Sequence, residues 1–171
     1  MNSLIDFLIN YYTEAKIESI LFILIGSISI SLTLIFQLII KYSFFKGIAI
    51  PFLFGGVIQI IFGSIIYFQT TKAIIKLENQ IKNKTTYIQY SEISHIETVL
   101  QNYINYKWIE YILIIAGIIL MTAFHKSSQT FWKGLGLGLI IQVGLILCLN
   151  MVAKNRIETY LQHLSTYETI K

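Results

Sequence analysis

The chain is short of charge, cysteine and proline. Only 13% of its 171 residues are charged, about half the roughly 25% of an ordinary soluble domain. A single cysteine, Cys148, cannot form an internal disulfide, which excludes a small secreted disulfide scaffold. It also excludes four-helix membrane enzymes that work through cysteine pairs. Catalytic signatures are missing too. There is no nucleophile elbow, P-loop or dinucleotide fingerprint. The three histidines, His95, His125 and His163, fall in three separate segments, and none has a Glu or Cys at metal-ligand spacing. The glycine-rich run Gly134–Gly138 sits in an apolar stretch and cannot cradle a phosphate. The expectation is a chain with no catalytic residues, no metal and no cofactor.

What is present is apolar bulk. Hydrophobic residues make up 55% of the chain, and the mean hydropathy is +0.66. That excludes disorder and exceeds what one soluble core could hide. A helix needs about 20 mostly apolar residues to cross a hydrocarbon layer of roughly 30 Å. Four stretches qualify, at residues 19–40, 47–68, 108–124 and 134–152. The third is short and has Glu110 at its entrance, so three spans is the rival count. Tyr42, Phe44, Phe45, Tyr103, Tyr106, Trp108, Phe131 and Trp132 lie at span ends, where aromatic belts form. The fold class expected is an all-α integral membrane protein, with one four-helix membrane domain over residues 1–171.

Three polar segments complete it. Residues 1–15 place Leu4, Ile5, Leu8, Ile9 and Tyr12 at helical spacing, which reads as an amphipathic helix lying in the interface. They lack the basic region and small-residue cleavage site of a signal peptide. Residues 72–106 repeat apolar positions at spacings of three and four, around Lys82-Asn83-Lys84-Thr85-Thr86. This predicts a helical hairpin that extends spans two and three beyond the membrane. Residues 153–171 read as a polar C-terminal helix.

The two halves share ordered marks. Lys16-Ile17-Glu18, with Ile20-Leu21 following, matches Lys107 and Ile109-Glu110 with Ile112-Leu113. Phe44-Phe45-Lys46-Gly47 matches Phe131-Trp132-Lys133-Gly134, and Gly55–Gln59 matches Gly138–Gln142. A tandem duplication of a two-helix unit follows. Each unit crosses an even number of times, so the halves would be related by a pseudo-two-fold along the membrane normal.

Polar residues within the spans are the candidate site. Gln59 and Gln142 occupy equivalent repeat positions, on stripes with Gly55 and Gly63 and with Gly134 and Gly138. Small residues let helices approach, and amides then bond across the contact. The pair is either packing glue or the lining of a site on the axis. Glu18 and Glu110 form a second candidate, an interfacial acid pair at the mouths of spans one and three. A carboxylate there also meets the favourable end of the helix dipole. Ser27, Ser31 and Thr33 read as packing hydroxyls, and Pro51 as a first-turn proline of span two.

Charge sets the topology. The short loops carry Lys41, Lys46, Lys126 and Lys133 and no acid. The other face carries the remaining nine basic residues and all nine acids. Counting Lys and Arg alone places the termini and hairpin in the cytoplasm. The abundance of Ile, Lys, Asn and Tyr fits an AT-rich, bacterial genome, and so a bacterial inner (plasma) membrane. Two functional classes remain. One is a non-catalytic binding protein, either an accessory subunit of a membrane complex or an immunity-like protein. Its partners would be the lipid bilayer and a protein or second copy, met through the Gly/Gln faces or the 72–106 hairpin, not nucleic acid. The other is a small oligomeric channel or transporter with a site near Gln59 and Gln142.

Overall fold

The computed structural model describes residues 2–82 and 107–168. All the described elements are α-helices. They are α1 (Asn2–Leu38), α2 (Ser43–Lys82), α3 (residues 107–123) and α4 (Thr130–Glu168). Short turns at residues 39–42 and 124–129 join α1 to α2 and α3 to α4. The turn and second arm of the hairpin expected at 72–106 lie outside the described residues from position 83 onward. The first arm is the end of α2.

Three helices, α1, α2 and α4, are long and apolar enough to cross a membrane. With 37, 40 and 39 residues, they run about 55–60 Å at 1.5 Å per residue. That is nearly twice a hydrocarbon layer of roughly 30 Å. The surplus is polar and lies at the end away from the two short turns. Residues 2–15, expected as an interfacial helix, and residues 153–168, within the expected C-terminal helix, run into the spans without a break. Each is a continuous extension of a long rod.

The reason lies in the buried stripe of α1. Tyr12, Ala15, Ser19, Phe22, Gly26, Ser29 and Thr33 are all buried, at alternating spacings of three and four. That stripe never breaks between the polar and apolar halves, and no proline or glycine interrupts it before Gly26. Its partner on α2 is the antiparallel series Ala49, Phe52, Gly56, Gln59, Gly63 and Thr70, at matching spacing. Such spacing is that of left-handed, coiled-coil-like packing. Gly26 and Gly56 meet at the crossing. A Cβ on Gly26 would come within 2.7 Å of the Gly56 carbonyl oxygen, and one on Gly56 within 2.8 Å of that of Gly26. Gly117 of α3 and Gly136 of α4 form a second glycine crossing, at 2.9 and 2.6 Å.

The two hairpins join through α2 and α4, which run parallel and touch along rows spaced by four. Gly47, Pro51 and Gly55 face Gly134, Gly138 and Gln142. A Cβ on Gly47 would overlap the Phe131 carbonyl, and one on Gly134 the Phe44 carbonyl. Pro51 is not a first-turn proline. The helix starts at Ser43, so Pro51 lies inside α2, where it removes the hydrogen bond to the Gly47 carbonyl. Its ring fills the space beside Gly138, 3.2 Å from where a Cβ there would sit. Outward-facing apolar side chains such as Leu24, Ile28, Phe54, Ile61, Ile112 and Ile119 stay exposed around the bundle. That distribution suits a lipid solvent rather than water.

Candidate functional site

Gln59 and Gln142, equated from sequence, are brought into contact. Gln142 is 2% exposed and Gln59 1% exposed. Gln142 Nε2 donates to Gln59 Oε1 at 2.9 Å, and Ser29 Oγ donates to Gln142 Oε1 at 3.2 Å. This amide bridge ties α1, α4 and α2 together at one level. It forms because Gly55 has no side chain. The Gln142 side chain lies where a Cβ of Gly55 would be, and so reaches Gln59 one turn further along α2. One turn beyond Ser29 on α1, Thr33 Oγ1 lies 3.0 Å from the Ser29 carbonyl and 3.1 Å from the Ala49 carbonyl of α2. The one member left short is Gln59 Nε2, a buried donor with no hydrogen-bond partner.

The register of this contact differs from the sequence alignment of the halves. Along the parallel pair, Gly47 lies beside Gly134 and Gly55 beside Gln142. In that register Gln142 occupies the place of Gly55, not of Gln59. The glutamines meet because they are one turn apart on adjacent parallel helices.

Glu18 and Glu110 are each held by α4, at different levels. Glu18 Oε2 pairs with Arg156 Nη1 at 2.9 Å, with both side chains mostly buried. The Arg156 guanidinium also lies 5.0 Å from the centre of the Tyr11 ring, a cation–π contact. Tyr11 in turn stacks on Tyr160 at 4.0 Å between centroids. Glu110, 7% exposed, accepts a hydrogen bond from Asn150 Nδ2 through Oε1. Its Oε2 is buried without a partner. The Lys16 ammonium of α1 lies 5.0 Å from the centre of the Tyr67 ring of α2.

Sequence reading missed Ser29, Asn150 and Arg156. Ser29 shares the three-and-four stripe of Gly26 and Thr33, so periodicity could have marked it. No comparable signal tells which acid Asn150 and Arg156 would meet. Ser27 and Ser31, singled out with Thr33, are exposed and donate only to carbonyls of their own helix. No group of three or more His, Cys, Asp or Glu that could hold a metal occurs among the described residues.

No protein-family model, curated protein or solved structure matches the chain.

Proposed function

We propose that this is a non-catalytic, four-span membrane protein that works by binding, as an accessory subunit of a membrane complex or an immunity-like protein. The observation that carries this reading is the amide bridge. Polar groups of three helices bond to one another, with Gln59 Nε2 alone of the bridge left over, at a level where glycine contacts hold the backbones together. A solute path would need such groups to face a free space. Here they face each other, and the spans carry no charge at mid-membrane.

The fourth span is α3. It is shorter than the others, but its Ile112, Ile115, Ile118 and Ile119 face outward, and it packs antiparallel on α4 through Gly117 and Gly136. The duplication has support in the reciprocal contacts of Gly47 with Phe131 and Gly134 with Phe44. In this reading the protein sits in a bacterial inner membrane. Both termini and the 72–106 segment are cytoplasmic, on the count of lysines and arginines. The protruding ends of α1, α2 and α4 are then the surface that meets a protein partner.

A second reading, an oligomeric channel or transporter with its site at Gln59 and Gln142, has one observation in its favour. Gln59 Nε2 is an unused buried donor. Reconstitution decides between the two. The binding reading expects no ion or small-solute flux in liposomes above that of empty vesicles, and co-purification of a partner that is lost when residues 72–106 are replaced. Flux that disappears in the Gln59→Leu/Gln142→Leu variant would establish the channel instead.

A further inference from the structure

The two parallel helices α2 and α4 begin side by side, and this gathers the short-loop lysines at one end of the bundle. Gly47 abuts the Phe131 backbone and Gly134 the Phe44 backbone. The turn carrying Lys41, with Lys46 in the first turn of α2, is therefore held against the turn carrying Lys126, with Lys133 in the first turn of α4. Lys41, Lys46 and Lys126 are exposed, and Lys133 is half-buried. Among the described residues no acidic side chain pairs with them. No acidic residue occurs between Ser19 and Leu77 or between Tyr111 and Ile157. The two ion pairs among the described residues, Glu18–Arg156 and Lys154–Glu158, are both at the opposite end.

We propose that this end of the bundle is a docking surface for the headgroups of anionic phospholipids. Four ammonium groups sit at the mouths of apolar spans, the depth at which lipid phosphates lie. A juxtamembrane lysine attracts an anionic leaflet by about 1 kcal/mol, and four lysines brought together by the α2–α4 contact act on the same few lipids. Aromatic rings hold that end at headgroup level. Tyr42 is 76% exposed, and Trp132 stacks on Phe124 at 5.6 Å between centroids, as interfacial aromatics do. A zwitterionic lipid leaves the lysines without a net counter-charge. An anionic one supplies it.

The test uses the full chain reconstituted in mixed phosphatidylcholine and phosphatidylglycerol bilayers, with spin-labelled lipids of each class reporting which are held at the protein. The expected result is a preference for phosphatidylglycerol of about threefold or more. It falls to parity in Lys41→Gln/Lys46→Gln/Lys126→Gln/Lys133→Gln and persists in the opposite-end variant Lys72→Gln/Lys76→Gln/Lys154→Gln. The wild-type preference also collapses in about 1 M salt, where the Debye length is about 3 Å. That measurement needs no variant to fold. Absence of a preference in the wild type overturns the proposal. So does a preference that survives the four loop substitutions or high salt, or one that is lost with the opposite-end lysines.

Discussion

Gln142 is the residue on which three helices converge. Removing its amide strips a partner from Ser29 and from Gln59 at once. Gln142→Leu should therefore destabilise the bundle by about 1–3 kcal/mol, the cost of leaving buried groups unpaired. Gln59→Leu removes one already half-satisfied amide and should cost less. The double variant should fall short of the sum by about 0.6–2 kcal/mol, the range of hydrogen bonds between membrane helices. Reversible unfolding in mixed detergent micelles measures all three. Toward the polar end of the bundle, Arg156→Ala leaves the Glu18 carboxylate uncompensated in a mostly buried place and should cost about 2 kcal/mol. Arg156→Lys keeps the charge but loses the planar group that lies on Tyr11, so it should recover only part of that loss in the same measurement. Residues of this kind were only partly legible. Uncommon polar side chains in apolar runs marked Gln59, Gln142, Glu18 and Glu110. Their partners depend on which helix lies across from them. Arg156 and Asn150 belong to a segment whose packing has no local signature, so the acids that read as a pair from sequence are held separately by α4.

At the scale of the element, the helices were legible where the pattern was chemical and obscure where it was geometric. Long acid-free runs located α1, α2 and α4. The polar extensions were harder, because a break in hydropathy resembles a break in the helix. Tyr12, Ala15 and Ser19 carry the same buried stripe across that boundary, and the helix follows the stripe. The contact between α2 and α4 rests on small residues spaced by four. Gly134→Leu should force the start of α4 away from the Phe44 backbone and separate the hairpins. The expected loss exceeds the roughly 1–3 kcal/mol of an ordinary overpacked core site, because backbone rather than a flexible side chain is in the way. Gly144, with nothing within 4 Å of an added Cβ, is the control. Gly144→Ala should leave stability unchanged or slightly raised, as an alanine does in a helix interior. Thermal unfolding of the two variants in one detergent compares them directly.

At the scale of the whole molecule, two antiparallel hairpins are joined through a parallel glycine seam. Polar bonds close their interior, the short basic loops lie at one end, and the long polar helix ends lie at the other. Composition alone pointed to a membrane and to helices. The joining of the hairpins could not be read, because a register along parallel helices depends on backbone approach at Gly47, Gly55 and Gly134 and not on any one residue's polarity. The arrangement fixes a topology, and topology is its most direct test. Single cysteines placed in a Cys148→Ser background at Asn10, Lys76 and Gln162, and at Lys41 and Ser128, can be labelled with a membrane-impermeant thiol reagent from either side. The account predicts that the first three label from one side and the last two from the other. Labelling of Ser128 from the same side as Lys76 would mean that α3 and α4 do not form a second membrane hairpin, and would contradict it.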